Sequence, residues 1–141
     1  MAFAGMNYLA ILVAAGVAFM FGGVWYGVLA KQWMAAAGIN DEMMAASKKD
    51  GSSTRAMIAA FVSSLVMAWV LAGLIGHLGN GQVTVYNGII SGVFAWLGFI
   101  ATTQITNHGF QMKLGRLTLI DGGHWLGVLL IQGAIIGAFG T

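Results

Sequence analysis

Charged side chains are scarce in this sequence, and cysteine and proline are absent from it. Of its 141 residues, 7% are Asp, Glu, Lys or Arg, whereas 59% are hydrophobic and the mean hydropathy is +0.86. Soluble domains carry about 25% charged residues, which keep their surfaces hydrated. Six basic and four acidic side chains are too few to do so here. The composition therefore predicts an integral membrane protein whose surface faces lipid.

The absences also exclude several classes of function. Without cysteine there is neither a disulfide framework nor a thiolate metal site. Six scattered Lys and Arg residues are too few for a nucleic-acid interface, despite the net charge of +2. A phosphate-binding loop, a nucleophile elbow and an H-E-x-x-H helix are all missing from the sequence. We therefore expect a protein that is not an enzyme and that binds no cofactor and no metal.

Four long apolar stretches dominate the chain, at residues 7–30, 56–76, 83–106 and 118–139, and the last of them contains a single acidic residue, Asp121. Each has the length of about 20 residues that a helix needs to cross a bilayer, and lipid forces the backbone to satisfy its hydrogen bonds within the helix. Without proline, the usual cause of sharp kinks, the spans are expected to be unbroken. The first span lacks the basic region of a removable signal peptide and is expected to remain as an anchor. Residues 1–141 are predicted to form a single all-α domain, an antiparallel four-helix bundle.

The basic residues predict the orientation of this bundle. All of them lie in two of the three loops, as Lys31, Lys48, Lys49, Arg55, Lys113 and Arg116. Positively charged loops stay in the cytoplasm, so both charged loops are predicted there and both termini outside. The first of these loops, residues 31–55, contains Asn40-Asp41-Glu42, which is typical of a helix start.

Small residues recur at helical spacing in every predicted span. Helices in lipid rely on close backbone approach when they associate, and small side chains permit it. The stripes are Gly5, Gly16, Gly23 and Gly27 in span one, Ala60, Ser64 and Ala68 in span two, Gly88 and Gly92 in span three, and Gly133 and Gly137 in span four. A stripe can serve contacts within one bundle or between copies. Four stripes exceed what one bundle needs, so we expect a homo-oligomer in the lipid bilayer, with a larger membrane complex left open.

A few polar side chains lie in or near the last two spans. They are Gln104, Asn107, His108, Asp121, His124 and Gln132. A charge in hydrocarbon costs about 2.5–3.5 kcal/mol on insertion scales, so such residues tend to be paired or functional. Asp121 and His124 are neighbours at i, i+3. A hairpin of spans three and four would bring Asn107 and His108 close to them.

Three interpretations of this polar cluster compete. In the first, Asp121 accepts a hydrogen bond from Asn107 or His124 and holds the hairpin together. In the second, the polar line from Asp121 toward Gln132 and Gln104 carries protons or a small solute. In the third, Asp121 and two histidines bind a metal or act as a catalytic site. The first interpretation predicts a non-enzymatic, self-associating membrane unit or accessory subunit. The alternative is a channel or carrier.

Two motifs stand out at the basic ends of spans one and four. They read Gly22-Gly23-Val24-Trp25-Tyr26 and Asp121-Gly122-Gly123-His124-Trp125. Together with Asn7-Tyr8-Leu9, Lys31-x-Trp33-Met34, Gly38-Ile39, Trp96-Leu97-Gly98-Phe99 and Asn107, they resemble a bacterial family known as domain of unknown function 1761. The resemblance covers nearly the whole chain. It implies a small four-span protein of the bacterial cytoplasmic (inner) membrane, but it implies no reaction and no substrate.

Overall fold

A computed structural model describes residues 6–141, and within that range the chain is helical and contains no strand. Gly5 of the first predicted stripe lies outside the described residues. The helices are α1 (Tyr8–Val28), α2 (Ala30–Ala37), α3 (Asp41–Lys49), α4 (Ser52–Gly76), α5 (Val85–Ala95), a π-helix (Trp96–Ala101), α6 (Thr102–Phe110) and α7 (Gly115–Phe139).

Four helical stretches are long and apolar enough to cross a membrane, which confirms the number of spans predicted from the sequence. They are α1, α4, the stretch from α5 to α6, and α7. Helices α4 and α7 begin a few residues earlier than predicted, at Ser52 and Gly115. Arg55 and Arg116 consequently lie in the first turns of these helices. Long basic side chains tolerate such positions because their charged ends reach water while their stems stay on apolar surface.

The first basic loop is more ordered than its polarity suggested. The helix start predicted at Asn40 is present, because the Asn40 side chain accepts a hydrogen bond from the Met43 N–H at 2.8 Å and caps α3. Helix α2, which the sequence analysis did not predict, follows α1 after a break at Leu29. The Lys113 ammonium of the other basic loop donates to the Ala37 carbonyl at 3.2 Å. The two basic loops therefore lie side by side.

The third span is not the unbroken α-helix that the absence of proline predicted, because a π-helix interrupts it at Trp96–Ala101. Threonine hydroxyls follow this segment and bond back to its carbonyls. Thr102 donates to the Gly98 carbonyl at 2.8 Å, and Thr103 donates to the Phe99 carbonyl. Such back-bonding competes with the regular helical hydrogen bonds and bends helices, so hydroxyl-bearing side chains can loosen a helix that contains no proline.

Helix α7 occupies the centre of the fold, packing against α1 on one side and α5 on another. The α5–α7 contact depends on glycine. A Cβ built on Gly88 would overlap the Gly133 carbonyl, a Cβ on Gly133 would overlap Gly88, and one on Gly92 would lie 2.8 Å from the Leu129 carbonyl oxygen. Gly137 meets the backbone of Thr84 in the same way. The small residues of spans three and four therefore lie where two backbones of the same chain touch.

The small-residue stripes of spans one and two differ in whether they pack against another helix of the chain. Ser64 and Ala68 are buried, and the Ser64 hydroxyl donates to the Ala15 carbonyl of α1 at 3.0 Å. The third member of that stripe, Ala60, is exposed. On α1, a Cβ built on any of the three described stripe glycines would meet nothing within 4 Å, and these are Gly16, Gly23 and Gly27. Within residues 6–141, the α1 stripe therefore makes no close backbone contact of the kind seen between α5 and α7.

An apolar core fills the space between α1, α4 and α7. It is formed by Ile11, Ala14, Ala15, Ala68, Leu71, Ala72, Ile75, Leu129 and Ile136. The alanines let the helices approach closely, and the larger side chains fill the space that remains. This core closes one half of the molecule and leaves the half nearer the basic loops for polar and aromatic residues.

Candidate functional site

The two sequence motifs of α1 and α7 pack against each other. The Tyr26 hydroxyl donates to Asp121 Oδ1 at 2.8 Å, and the Trp25 indole N–H donates to the Ile120 carbonyl at 3.0 Å. The hydrogen-bond donor to Asp121 was predicted on spans three and four, at Asn107 or His124. Its hydrogen-bond donor instead comes from α1, which lies 95 residues away in sequence.

The paired glycines after Asp121 give two tryptophans access to the α7 backbone. The Trp96 indole N–H donates to the Gly122 carbonyl at 2.8 Å. A Cβ built on Gly123 would lie 2.9 Å from the ring of Trp25. A carbonyl oxygen has two lone pairs and can accept from an indole as well as from its own helix. The two indoles therefore hold α7 from α1 on one side and from the π-helix on the other.

Asp121 also faces a histidine from the third span. His108 Nε2 lies 4.0 Å from Asp121 Oδ2, and its Nδ1 shares a hydrogen bond of 2.9 Å with the Thr118 hydroxyl. With one hydroxyl donor and one imidazole nearby, the carboxylate is not left without partners in an apolar helix, which lowers the cost of its burial. Asn107 is exposed, and among residues 6–141 it gives Asp121 no hydrogen bond. Gln104 approaches Gly122, where its Oε1 atom is buried and has no partner in the described part of the chain.

His124 is held by aromatic rings. Its imidazole stacks on Phe21 with ring centres 6.1 Å apart and lies 4.8 Å from Tyr26 and 4.6 Å from Trp125. The residue is 8% exposed, and its Nδ1 atom has no hydrogen-bond partner in the described range. Nε2 lies 2.8 Å from the place that a Cβ on Gly22 would take. Gly22 therefore makes room for the imidazole.

A cavity of about 400 Å³ lies beside His124, between α1, α4 and α7. Its walls include the buried residues Ser64 and Val128, whereas Gly23, Met57 and Ala60 are exposed. The cavity therefore opens sideways between α1 and α4. The remaining lining residues are Ala18, Phe19, Gly22, Tyr26, His124 and Trp125.

Gln132 belongs to a second polar contact on α7. It is fully buried, and its side-chain N–H groups donate to the Ser64 carbonyl at 3.1 Å and to the Ser64 hydroxyl at 3.2 Å. Its Oε1 atom has no partner among the described residues. The six polar residues predicted from the sequence do not form one cluster but separate groups, because Gln132 lies about 12 Å along the helix from His124. Asp121 and His108 form one, His124 lines the cavity, and Gln132 bonds to α4.

The described part of the chain contains no set of side chains that could act as ligands of a metal ion. No group of three His, Cys, Asp or Glu side chains is close enough there to hold an ion. Trp25, Tyr26 and Trp125 stand in the two sequence motifs, but neither they nor Phe21 were predicted as site residues. Each of the four contacts His124 or bonds to another part of α7. The signal that could have identified them is the pair of glycines beside aromatic residues in both motifs.

The fold and this site define a class of all-helical proteins with four helices apolar enough to cross a bilayer, in which the first and last are joined by aromatic side chains. Residues 9–137 match the sequence model of the family described as protein of unknown function (DUF1761), and the chain belongs to this family. The resemblance seen in the motifs is thereby confirmed. No curated protein and no solved structure matches the chain.

The contact between Gly123 and Trp25 predicts a sharp difference between two glycine substitutions. In Gly123→Ala the new methyl group would push Trp25 away from the Ile120 carbonyl, and overpacking of this kind costs about 1–3 kcal/mol. Gly23→Ala, on α1, meets nothing within 4 Å. Thermal unfolding in detergent, followed by circular dichroism, should show a lower midpoint for Gly123→Ala only. Equal midpoints for the two variants would contradict this packing.

Proposed function

We propose that this chain is an integral membrane protein of the bacterial cytoplasmic membrane and that it acts as a non-enzymatic, self-associating unit or accessory subunit. Its four long helices cross the bilayer as an antiparallel bundle in one domain, with both termini outside the cytoplasm. The observation that carries the proposal is the apolar outer surface of these helices. Exposed large side chains run along all four, among them Leu12, Met20, Val66, Phe94 and Leu119.

Such a surface is unusual for a protein in water. Monomeric soluble proteins rarely expose large contiguous apolar patches, and those that do use them as interaction sites. Here the exposed apolar side chains belong to helices of 21 to 26 residues, the length that a bilayer requires. Lipid would cover this surface without leaving backbone polar groups unpaired, because each helix satisfies its own.

The orientation is supported by the placement of the cations. The six Lys and Arg residues occupy the two basic loops and the helix ends beside them. The contact of Lys113 with the Ala37 carbonyl joins these loops at one end of the molecule. Loops rich in Lys and Arg remain on the cytoplasmic side, so this end would face the cytoplasm.

The natural absence of cysteine makes the orientation easy to test. We expect Asn80→Cys, in the uncharged loop, to react with a membrane-impermeant thiol reagent added to intact cells. Ala45→Cys, on α3, should react only after the membrane is opened. Both positions are exposed, so access to the side chain is matched. Reaction of Ala45→Cys from outside would reverse the proposed orientation.

Self-association is supported by the unused stripe on α1. Gly16, Gly23 and Gly27 lie within about 40° of one another around the helix at about 100° per residue. Among the described residues, nothing lies within 4 Å of a Cβ built on any of the three. Small residues spaced in this way let two helices approach closely in lipid. A second copy of the chain would place its own helix against this stripe.

Bulky residues on the stripe should separate the copies. In native mass spectrometry from detergent, the double variant Gly16→Leu with Gly27→Leu is expected to form a complex of lower mass, with fewer copies of the chain, than the wild-type protein. Ala59→Leu adds the same side chain on an exposed position of α4 and serves as the control. A wild-type protein that is monomeric, or a double variant with unchanged stoichiometry, would contradict assembly through α1.

The alternative function is a path for protons or a small solute. The cavity favours it, because it connects His124 with Ser64, which in turn contacts Gln132. Beyond Gln132, however, α7 is packed into the fold through Ile136 and Gly137, both of which are buried. The polar line would therefore end in the middle of the molecule. A flux of protons or solute into vesicles that is lower for Asp121→Asn than for the wild-type protein would favour this path. Equal, leak-level flux for both proteins would contradict it.

A further inference from the structure

The cavity beside His124 has no role in the self-associating unit proposed above, yet it has the properties of a ligand site. Its volume of about 400 Å³ falls in the range of about 300–1,000 Å³ that is usual for small-molecule pockets. Such pockets combine apolar and aromatic walls with a few well-placed polar groups. Here the aromatic walls are Phe19, Tyr26 and Trp125, and the polar groups are His124 and Ser64.

The polar group that lacks a partner in this cavity is His124. A buried donor or acceptor that stays unpaired costs about 1–3 kcal/mol. The residue is more than nine-tenths buried and makes ring contacts, but its Nδ1 atom has no hydrogen-bond partner among the described residues. Its Nε2 edge lies against Gly22, which also lines the cavity and has no side chain to cover it. Ser64 differs, since its hydroxyl donates to Ala15 and accepts from Gln132.

The lining residues also define the charge and shape of an occupant. None of the residues that line the cavity is Asp, Glu, Lys or Arg, so a charged molecule would find no counter-charge there. Three aromatic side chains favour a planar ring, which can stack or make edge contacts with them. The exposed residues Gly23, Met57 and Ala60 leave the cavity open between α1 and α4. An apolar tail on the ring could leave through this opening into lipid.

We propose that this cavity binds the neutral ring headgroup of a membrane-soluble molecule, a quinone or a phenol, whose ring oxygen forms a hydrogen bond with His124. A quinone carbonyl would accept from the imidazole N–H, and a phenol hydroxyl would donate to the unprotonated nitrogen. The proposal concerns binding and includes no electron transfer. It rests on the membrane location proposed above, because the tail of the ligand leaves the cavity into the bilayer.

Three probes on the full-length protein in lipid nanodiscs test this site. They are a benzoquinone with one isoprene unit, a phenol with a tail of the same length, and an alkylbenzene that lacks the ring oxygen. Saturable binding above that of empty nanodiscs would be measured, together with the thermal unfolding midpoint, which a bound ligand raises. We expect the quinone, the phenol or both to bind, and the alkylbenzene to bind at least about tenfold more weakly, the equivalent of about 1.4 kcal/mol.

Two pairs of variants separate the cavity from the general stability of the protein. Ala60→Leu fills the cavity wall, and Ala59→Leu adds the same bulk to the neighbouring exposed position outside it. His124→Phe keeps an aromatic ring without its nitrogens, whereas His124→Gln keeps a donor and an acceptor. Binding should be lost in Ala60→Leu, unchanged in Ala59→Leu, at least about tenfold weaker in His124→Phe and partly restored in His124→Gln.

The outcomes distinguish this proposal from the one on which it rests. Binding of the quinone alone identifies His124 as the donor, and binding of the phenol alone identifies it as the acceptor. Equal binding of the alkylbenzene, or equal binding by Ala60→Leu and Ala59→Leu, would overturn the site. Labelling of Asn80→Cys and Ala45→Cys reports membrane insertion independently. An inserted protein without saturable binding overturns only the ligand proposal, whereas a protein that is not inserted overturns both.

Discussion

A single carboxylate inside an apolar helix is the constraint on which the arrangement of the site depends. Asp121 needs donors that apolar side chains do not offer, and the Tyr26 hydroxyl supplies one from the other end of the sequence. This bond ties α1 to α7 at a fixed level along both helices. At that level Trp25 meets the Ile120 carbonyl and His124 meets the rings of α1. The position of the cavity follows, because Tyr26 and His124 form two of its walls.

Helix α7 is held to its neighbours by two different physical means. Toward α5 it uses glycine, so that the backbones of Gly88 and Gly133 touch and dispersion acts over a short distance. Toward α1 it uses hydrogen bonds and aromatic rings, which fix orientation more strictly than small residues do. Gly123 belongs to this second contact, since it admits Trp25 of α1 to the α7 backbone, whereas the Gly122 carbonyl accepts from Trp96 of the π-helix. Similar glycines in the sequence therefore serve different purposes.

Much of the fold could be predicted from the sequence, because long apolar stretches favour helices, which satisfy their own backbone hydrogen bonds. The four apolar helices and the cap at Asn40 follow from hydropathy and local hydrogen bonding alone. The π-helix could not be predicted in this way, because neither hydropathy nor the absence of proline distinguishes it from an α-helix. The hydrogen-bond donor to Asp121 could not be predicted from the sequence either. His124 is close to Asp121 in sequence, and Asn107 was expected across a hairpin, so these two were the obvious candidates. Tyr26 is adjacent only because α1 packs on α7.

The hydrogen bond between Tyr26 and Asp121 can be tested by a double-mutant cycle on the free energy of unfolding, with Tyr26→Phe, Asp121→Leu and the double variant. Tyr26→Phe removes the donor and Asp121→Leu removes the acceptor, so each single variant breaks the bond. Hydrogen bonds between transmembrane helices give coupling energies of about 0.6 kcal/mol on average and up to about 1.7 kcal/mol. We predict a stabilising coupling of this size. Additive effects of the two substitutions would contradict it.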